Sequence, residues 1–266
     1  MTDRYVVIGN PVAHSQSPRI HALFAAATAQ DMAYATLPAP LDGFAATVRD
    51  FVAGGGRGAN VTVPFKEEAF RIATRLSDRA QAAGAVNTLT FSGNGILGDN
   101  TDGAGLVRDL KSNLGTDISG KRVLLLGAGG AARGVILPLL GERPSQLLIA
   151  NRTADKALAL ARDFDGCEGC GLEALDGRPF DLIINATSAG LTGGVSPRLT
   201  FRYAPDALAY DMIYGRETDF LRQATAAGAR TADGLGMLVE QAAEAFLVWR
   251  GIRPETAPVL AELRGA

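Results

Sequence analysis

The sequence predicts an α/β fold built from two units in series, and three observations carry that reading. Residues 121–134 run Lys-Arg-Val-Leu-Leu-Leu-Gly-Ala-Gly-Gly-Ala-Ala-Arg-Gly, an apolar strand that stops at a glycine turn and gives way to a helical pattern. A second apolar run, 146–150, ends in Asn151-Arg152-Thr153, so the strand–helix unit repeats. Ahead of both, short apolar runs alternate with helical patterns, as in an open α/β sheet.

The small residues of the turn have physical work there. Gly127 lets the turn close, Gly129 lets backbone approach a pyrophosphate, and Ala132 keeps helix close to sheet. Amides at the helix start then face phosphate oxygens. About twenty residues on, an NAD site carries an acid. Arg152 stands in that turn instead, and its guanidinium offers a fork to a ribose 2′-phosphate that a carboxylate would repel. The turn therefore favours NADP over NAD.

The chain of 266 residues is 47% hydrophobic with a net charge of −2 and no basic run, which argues against nucleic acid or an anionic membrane as partner. No leader pattern and no membrane-length apolar stretch is present, so a cytoplasmic location is expected. Cys167 and Cys170 form a C-x-x-C pair far in sequence from His14 and His21, too few ligands for zinc, so no metal is expected. The pair reads as two thiols in a surface loop. Four lysines stand against twenty-two arginines. A lysine in an apolar context, Lys66 above all, is then a candidate for chemistry, because an ammonium exchanges its proton and a guanidinium does not.

In chain order, residues 5–8 read as a buried strand entering Gly9-Asn10-Pro11. Pro18 suits the first turn of the next helix, with Ser17 either its N-cap or, beside Ser15, a hydroxyl donor to a carboxylate. A strand at 33–37 and a helix at 44–52 follow, stopped by Gly54-Gly55-Gly56. Val61 and Val63 alternate with Asn60 and Thr62, giving a strand with one apolar and one polar face, and Pro64 delivers Lys66 at its carboxyl end. Lys66 is a surface charge or a ligand of that end.

Helices are expected at 67–73 and at 78–83, the second capped by Asp78 and closed by Gly84. Ser92-Gly-Asn-Gly95 marks a hairpin, and Asn87, polar in an apolar run, must find partners or contact a ligand. Asp102 reads as an N-cap or a site residue before a helix at 106–114. The α/β pattern continues with a helix at 154–164, strands at 180–184 and 208–212, a helix at 220–227 and a long helix at 235–249. Small polar residues of 185–190 suit a wall of the nucleotide crevice. Gln241 lies beside the apolar stripe of the long helix, a helix-edge amide or a site residue.

Taken together, Ser15-x-Ser17-Pro, Asn60-Val-Thr-Val-Pro-Phe-Lys66, Gly84-Ala-Val-Asn-Thr88, Asn100-Thr-Asp102-Gly, Gly127-Ala-Gly-Gly-Ala, Asn185-Ala-Thr-Ser and Asp233-Gly-Leu-Gly-Met237 resemble the shikimate dehydrogenase family over nearly the whole chain. The resemblance implies an N-terminal α/β substrate domain, residues 1–101 and 235–266, plus a Rossmann-type NADP-binding domain, 102–234. It implies reversible NADPH-dependent reduction of 3-dehydroshikimate to shikimate, on the route to chorismate and aromatic amino acids, by a monomer or homodimer. Lys66 and Asp102 would be the catalytic pair. Ser15, Ser17 and Tyr214 would hold the substrate carboxylate, with Thr62, Asn87 and Gln241 at the ring hydroxyls. NADP would meet Gly127, Ala128, Gly129, Gly130, Ala131, Asn151, Arg152, Thr153, Lys156, Met212, Gly236 and Asp78. The family often has serine at Ala132, and the segment 215–220 lacks its common Thr-Pro-Phe. A quinate/shikimate dehydrogenase using NAD is the nearest rival.

Overall fold

The computed structural model describes residues 2–187 and 200–265, so the end of the Asn185-Ala-Thr-Ser motif, Ser188, and the rest of 188–190 lie outside the described residues. The chain divides into two compact units, Met1–Gly105 with Val239–Ala266, and Leu106–Leu238. The first division falls just beyond Asp102 rather than before it. Hydrogen bonds from Asn87 and Lys66 hold Asp102 to the first unit.

The first unit contains β1 (Asp3–Gly9), α1 (Ser17–Ala27), β2 (Met32–Pro38), α2 (Phe44–Ala53), β3 (Gly56–Val61), α3 (Lys66–Ile72), β4 (Arg75–Leu76), α4 (Asp78–Ala83), β5 (Thr88–Ser92) and β6 (Gly95–Asp99). Its sheet has the order β2-β1-β3-β5-β6-β4. Strands β2, β1 and β3 are parallel, and the β5–β6 hairpin joins β3 through an antiparallel pairing with β5. Period-two alternation assigns the faces. Val6, Ile8, Ala59 and Val61 point to a core shared with Phe44, Val48 and Phe65. On the other face Tyr5, His21, Tyr34, Phe246 and Trp249 form an aromatic cluster.

Alternation beyond Val61 does not continue as expected. Thr62 still donates its amide to the Ile8 carbonyl at 2.9 Å, but Phe65 closes a turn on the Thr62 carbonyl, and Val63 is left 60% exposed. Phe65 takes the buried place instead, stacked on Phe44 at 4.9 Å.

His21 sits in the aromatic cluster with its ring 4.1 Å from that of Tyr34. It is fully buried, and neither ring nitrogen has a hydrogen-bond partner among the described residues. Burial pulls its pKa down to about 3, against a small opposing influence of Asn60. An unfolded chain protonates this histidine near its ordinary value while the folded chain does not, so stability is lost as pH falls from about 6.5. At pH 5 the loss is roughly 2 kcal/mol, and a His21→Phe variant is expected to flatten the slope by that much. Urea unfolding at pH 7 and pH 5 reads the difference; parallel slopes for the two proteins would contradict it.

The second unit is doubly wound: α5 (Asp102–Arg108) leads into it, followed by β7 (Arg122–Leu126), α6 (Gly130–Gly141), β8 (Gln146–Asn151), α7 (Ala154–Arg162), β9 (Glu168–Gly171), β10 (Pro179–Asn185), β11 (Arg202–Asp211), α8 (Asp219–Ala226) and β12 (Arg230–Ala232). Its parallel sheet has the order β12-β11-β10-β7-β8-β9, the strand order of a Rossmann fold. Both faces are covered, which is why β7 reads as an unbroken apolar run: Val123 and Leu125 enter one core, Leu124 and Leu126 the other. The helix expected at 106–114 is instead α5 continued by a π-helical turn, Asp109–Asn113, where buried Asp109 accepts from the Tyr210 hydroxyl and the Asn113 amide. Cys170 lies in edge strand β9 rather than in a loop, and both cysteines are half-buried with burial raising their thiol pKa values. The chain closes with α9 (Leu235–Arg250) and α10 (Ala257–Arg264).

Candidate active site

Lys66 is placed by what surrounds it on the chain. Buried Phe65 anchors the start of α3 directly after the β3 turn, and the Lys66 carbonyl accepts the Val86 amide at 2.9 Å. Its Nζ then donates to Asp102 Oδ2 at 2.6 Å, with side chains 28% and 12% exposed. The lysine is therefore a partnered ammonium at the carboxyl end of a central strand, where open α/β sheets bind ligands.

Asp102 starts α5 but does not cap it. Asn100 Oδ1 accepts the Asp102 amide at 3.1 Å, which frees the Asp102 carboxylate for side chains. Its Oδ1 accepts from Asn87 Nδ2 at 2.8 Å. The orientation of Asn87 is fixed in turn, because its Oδ1 accepts the Thr101 amide at 2.8 Å. Nδ2 of the same amide also approaches Gln241 Oε1 at 3.3 Å. Lys66, Asp102, Asn87 and Gln241 thus form one hydrogen-bonded cluster. Asn87 is 2% exposed and needs partners, and the cluster supplies them. Such an arrangement can hand a proton to a developing oxyanion while a carboxylate keeps the ammonium aimed.

The hydroxyls lie at the ends of neighbouring strands. Ser15 and Ser17 follow β1, and Thr62 follows β3, its methyl group so near Gly9 that a Cβ there would clash. The N-cap of α1 is Gln16, which makes no side-chain cap bond, rather than Ser17. Ser15 Oγ accepts the Ser17 amide at 3.2 Å, whereas Ser17 is already helical and its side chain caps nothing. Ser17 is buried. Asp78 is likewise displaced as a cap: Ser77 caps α4 by accepting the Ala80 amide, and Asp78 is the first helical residue, outside the cluster.

In the second unit the glycine turn stands at the sheet's switch point, between β7 and β10. Gly127 has φ +109°, and a Cβ there would press on the Ala186 carbonyl at 3.2 Å. At Gly129 and Gly130 a Cβ would meet nothing, so packing within the chain does not require glycine there. A ligand's close approach would. Ala128 is half-buried and Ala131 exposed beside them, and the amides of this stretch lead into α6. After β8, Asn151 donates to the Thr153 carbonyl at 3.0 Å and shapes the turn that exposes Arg152. Arg152 and Lys156 make no ion pair among the described residues. Two cations without an ion pair among the described residues, Arg152 in the turn and Lys156 in the first turn of α7, suit a phosphate.

Met212 and Tyr214 follow β11. Buried Asp211 accepts from Asn185 at 3.1 Å, from the Thr218 hydroxyl at 2.6 Å and from the Ile213 amide at 3.1 Å, and so fixes this loop. Thr218 also caps α8, which gives the segment without Thr-Pro-Phe its own anchor. Tyr214 is 37% exposed, its phenol pKa raised by partial burial. Gly236 has a reason internal to the fold, since a Cβ would run into the Asp109 carboxylate. Thr101, Asn60 and Asn100 were not singled out from the sequence. All three are buried polar residues in apolar or turn stretches, the same signal that marked Asn87.

A Rossmann-type unit joined in one chain to an α/β unit bearing a lysine–carboxylate pair defines a two-unit α/β oxidoreductase. Family models describe the pieces: a shikimate dehydrogenase substrate binding domain over residues 7–89, a shikimate/quinate 5-dehydrogenase over 109–192 and a shikimate 5′-dehydrogenase C-terminal domain over 234–264. The chain belongs to the shikimate dehydrogenase family. It is 64% identical to a shikimate dehydrogenase (NADP(+)) of Dechloromonas aromatica, over 99% of this chain and 98% of that one. Among solved structures it is similar to an Ael1 enzyme from Pseudomonas putida, with a TM-score of 0.91, 50% identity and 98% of each chain covered. It is also similar to shikimate 5-dehydrogenase from Thermus thermophilus in complex with NADP(H) and shikimate, with a TM-score of 0.88, 34% identity and 98% of each chain covered.

Proposed function

We propose that this protein catalyses the reversible NADPH-dependent reduction of 3-dehydroshikimate to shikimate. The cluster of Lys66, Asp102, Asn87 and Gln241 carries the reading, supported by relatives whose names state that activity with NADP. The turn at Gly127–Ala131, with Asn151, Arg152, Thr153, Lys156, Met212 and Gly236, holds the dinucleotide. When bound, NADPH supplies the hydride that the ketone carbon accepts. Lys66 donates the proton that the carbonyl oxygen takes up as negative charge grows on it, and its neutral amine accepts the hydroxyl proton in the oxidative direction. Asp102 holds the amine in place and, with Asn87 and Gln241, orients the ring hydroxyls. Asp78, the first residue of α4, is a further candidate contact of the dinucleotide.

Ser15, Ser17 and Tyr214 bind the carboxylate and Thr62 a ring hydroxyl. Ser15→Ala is expected to raise KM for shikimate by about tenfold with kcat nearly unchanged, because a ground-state contact is lost. An unaltered KM in steady-state assays would remove Ser15 from the site. A cytoplasmic location and action as a monomer or homodimer on a small molecule belong to the same reading; no described helix is long and apolar enough to cross a membrane.

The deciding experiment follows nicotinamide absorbance with shikimate or quinate, each with NADP⁺ or NAD⁺. Turnover confined to shikimate with NADP⁺ supports the proposal. Preference for quinate with NAD⁺ would replace it with the rival activity.

A further inference from the structure

Beneath the Lys66–Asp102 pair the polar network runs on into ion pairs that proton transfer itself does not use. At the end of β6 the buried carboxylate of Asp99 is gripped by Arg79, Nε at 2.6 Å and Nη2 at 2.7 Å. The same carboxylate accepts from the Ser77 hydroxyl and from the Asn100 amide at 2.7 Å. Asn100 is pinned a second time by its bond to the Ala85 carbonyl, and its side-chain oxygen takes the Asp102 amide. The fork on Asp99 therefore sets the turn that presents Asp102.

The third arm of the same guanidinium points elsewhere. Arg79 Nη1 donates to Glu244 Oε1 at 2.8 Å. Glu244 follows Gln241 at i+3 on α9, and residues so spaced share a helix face. The far oxygen of Glu244 takes Arg253 at 2.7 Å, and Arg253 also pairs with buried Glu240 at 2.6 Å. One guanidinium thus joins the turn that carries Asp102 to the helix that carries Gln241, and those two side chains meet at Asn87.

We propose that Arg79 is a positioning residue of the active site: its fork on Asp99 places the Lys66–Asp102 pair, and its bond to Glu244 places the Gln241 amide against the same substrate. The proposal rests on the functional reading above. An arginine is needed because a lysine ammonium is a point donor that cannot fork on Asp99 and reach Glu244 together.

Arg79→Lys keeps the charge and removes the geometry. Its kcat is expected to fall by about tenfold and KM for shikimate to rise by about threefold, while KM for NADP⁺ stays within about twofold because the glycine turn belongs to the other unit. Glu244→Ala cuts the α9 arm, together with the Arg253 contact of the same carboxylate, and leaves the fork on Asp99, so KM for shikimate is expected to rise by about threefold with kcat within about twofold of wild type. Arg79→Lys kinetics equal to wild type would overturn the proposal. So would a loss that follows the folded fraction in circular dichroism and moves both KM values alike. If Arg79→Lys does not fold, an unchanged KM in Glu244→Ala overturns it alone. Should the wild type fail to oxidise shikimate, the functional reading falls first. Amide exchange by NMR then decides, with faster exchange at Asn100 and Asp102 in Arg79→Lys supporting the positioning role and unchanged exchange overturning it.

Discussion

Lys66→Ala is expected to lower kcat for shikimate oxidation by about a hundredfold or more, with KM changed only a few fold. The side chain is 28% exposed at a helix start and packs no core, so its removal leaves the fold standing. On the proposed mechanism, what disappears is the proton carrier and the positive field at the carbonyl oxygen, both of which act in the transition state more than in the ground state. Lys66→Arg separates the two contributions. It restores the charge beside Asp102 but cannot release a proton, so it is expected to recover little of the rate. Turnover near wild type in the alanine variant, measured on protein with an unchanged unfolding midpoint, would take Lys66 out of the proton transfer.

Much of this site could be read from residue types, because some positions admit few alternatives. Gly127 is needed at φ +109° against the Ala186 carbonyl, and few residues other than glycine accept that backbone. The apolar runs of β7 and β8 are long enough to show a strand buried on both faces. Asn87 stood out as a buried amide that must be satisfied. Strands β4, β9 and β12 were not legible, since two to four residues hold no periodicity.

Helix starts were misread by one or two residues at Ser15/Ser17, Ser77/Asp78 and Asn100/Asp102. At α4 both Ser77 and Asp78 are competent caps, and only the backbone angles decide which oxygen faces the free amide; Gln16 is the N-cap of α1 without a side-chain cap bond, and Ser15 and Asn100 accept the amides of the first helical residues, Ser17 and Asp102. With the Asn100 side chain taking the Asp102 amide, the carboxylate bonds Lys66 and Asn87. Arg79 lay hidden for another reason: it is one of twenty-two arginines, and its partners Asp99 and Glu244 are far apart in sequence.

Asp102→Asn is expected to lower kcat/KM by about a hundredfold even though the side chain keeps its size. In the native cluster both Asp102 oxygens accept, one from Lys66 Nζ and one from Asn87 Nδ2. An asparagine has one acceptor and one donor, so it can serve one of these partners only. If its oxygen faces Lys66, its NH₂ meets the NH₂ of Asn87. Asn87 cannot turn to relieve this, because its own oxygen holds the Thr101 amide and the Thr88 hydroxyl. If its oxygen faces Asn87, the NH₂ confronts the ammonium and drives Lys66 away from its aim. On the proposed mechanism either outcome damages proton transfer, and neither alters Ser15, Ser17 or the dinucleotide turn. KM for NADP⁺ is therefore expected to stay near wild type while kcat/KM for shikimate collapses. An Asn87→Asp change combined with Asp102→Asn reverses donor and acceptor between the two positions, yet it leaves Lys66 beside an amide and Thr101 still satisfied. Recovery of activity in that double variant would mean that the Asn87 contact, rather than the charge beside Lys66, is what Asp102 contributes; a rate as low as the single variant assigns the loss to the missing carboxylate.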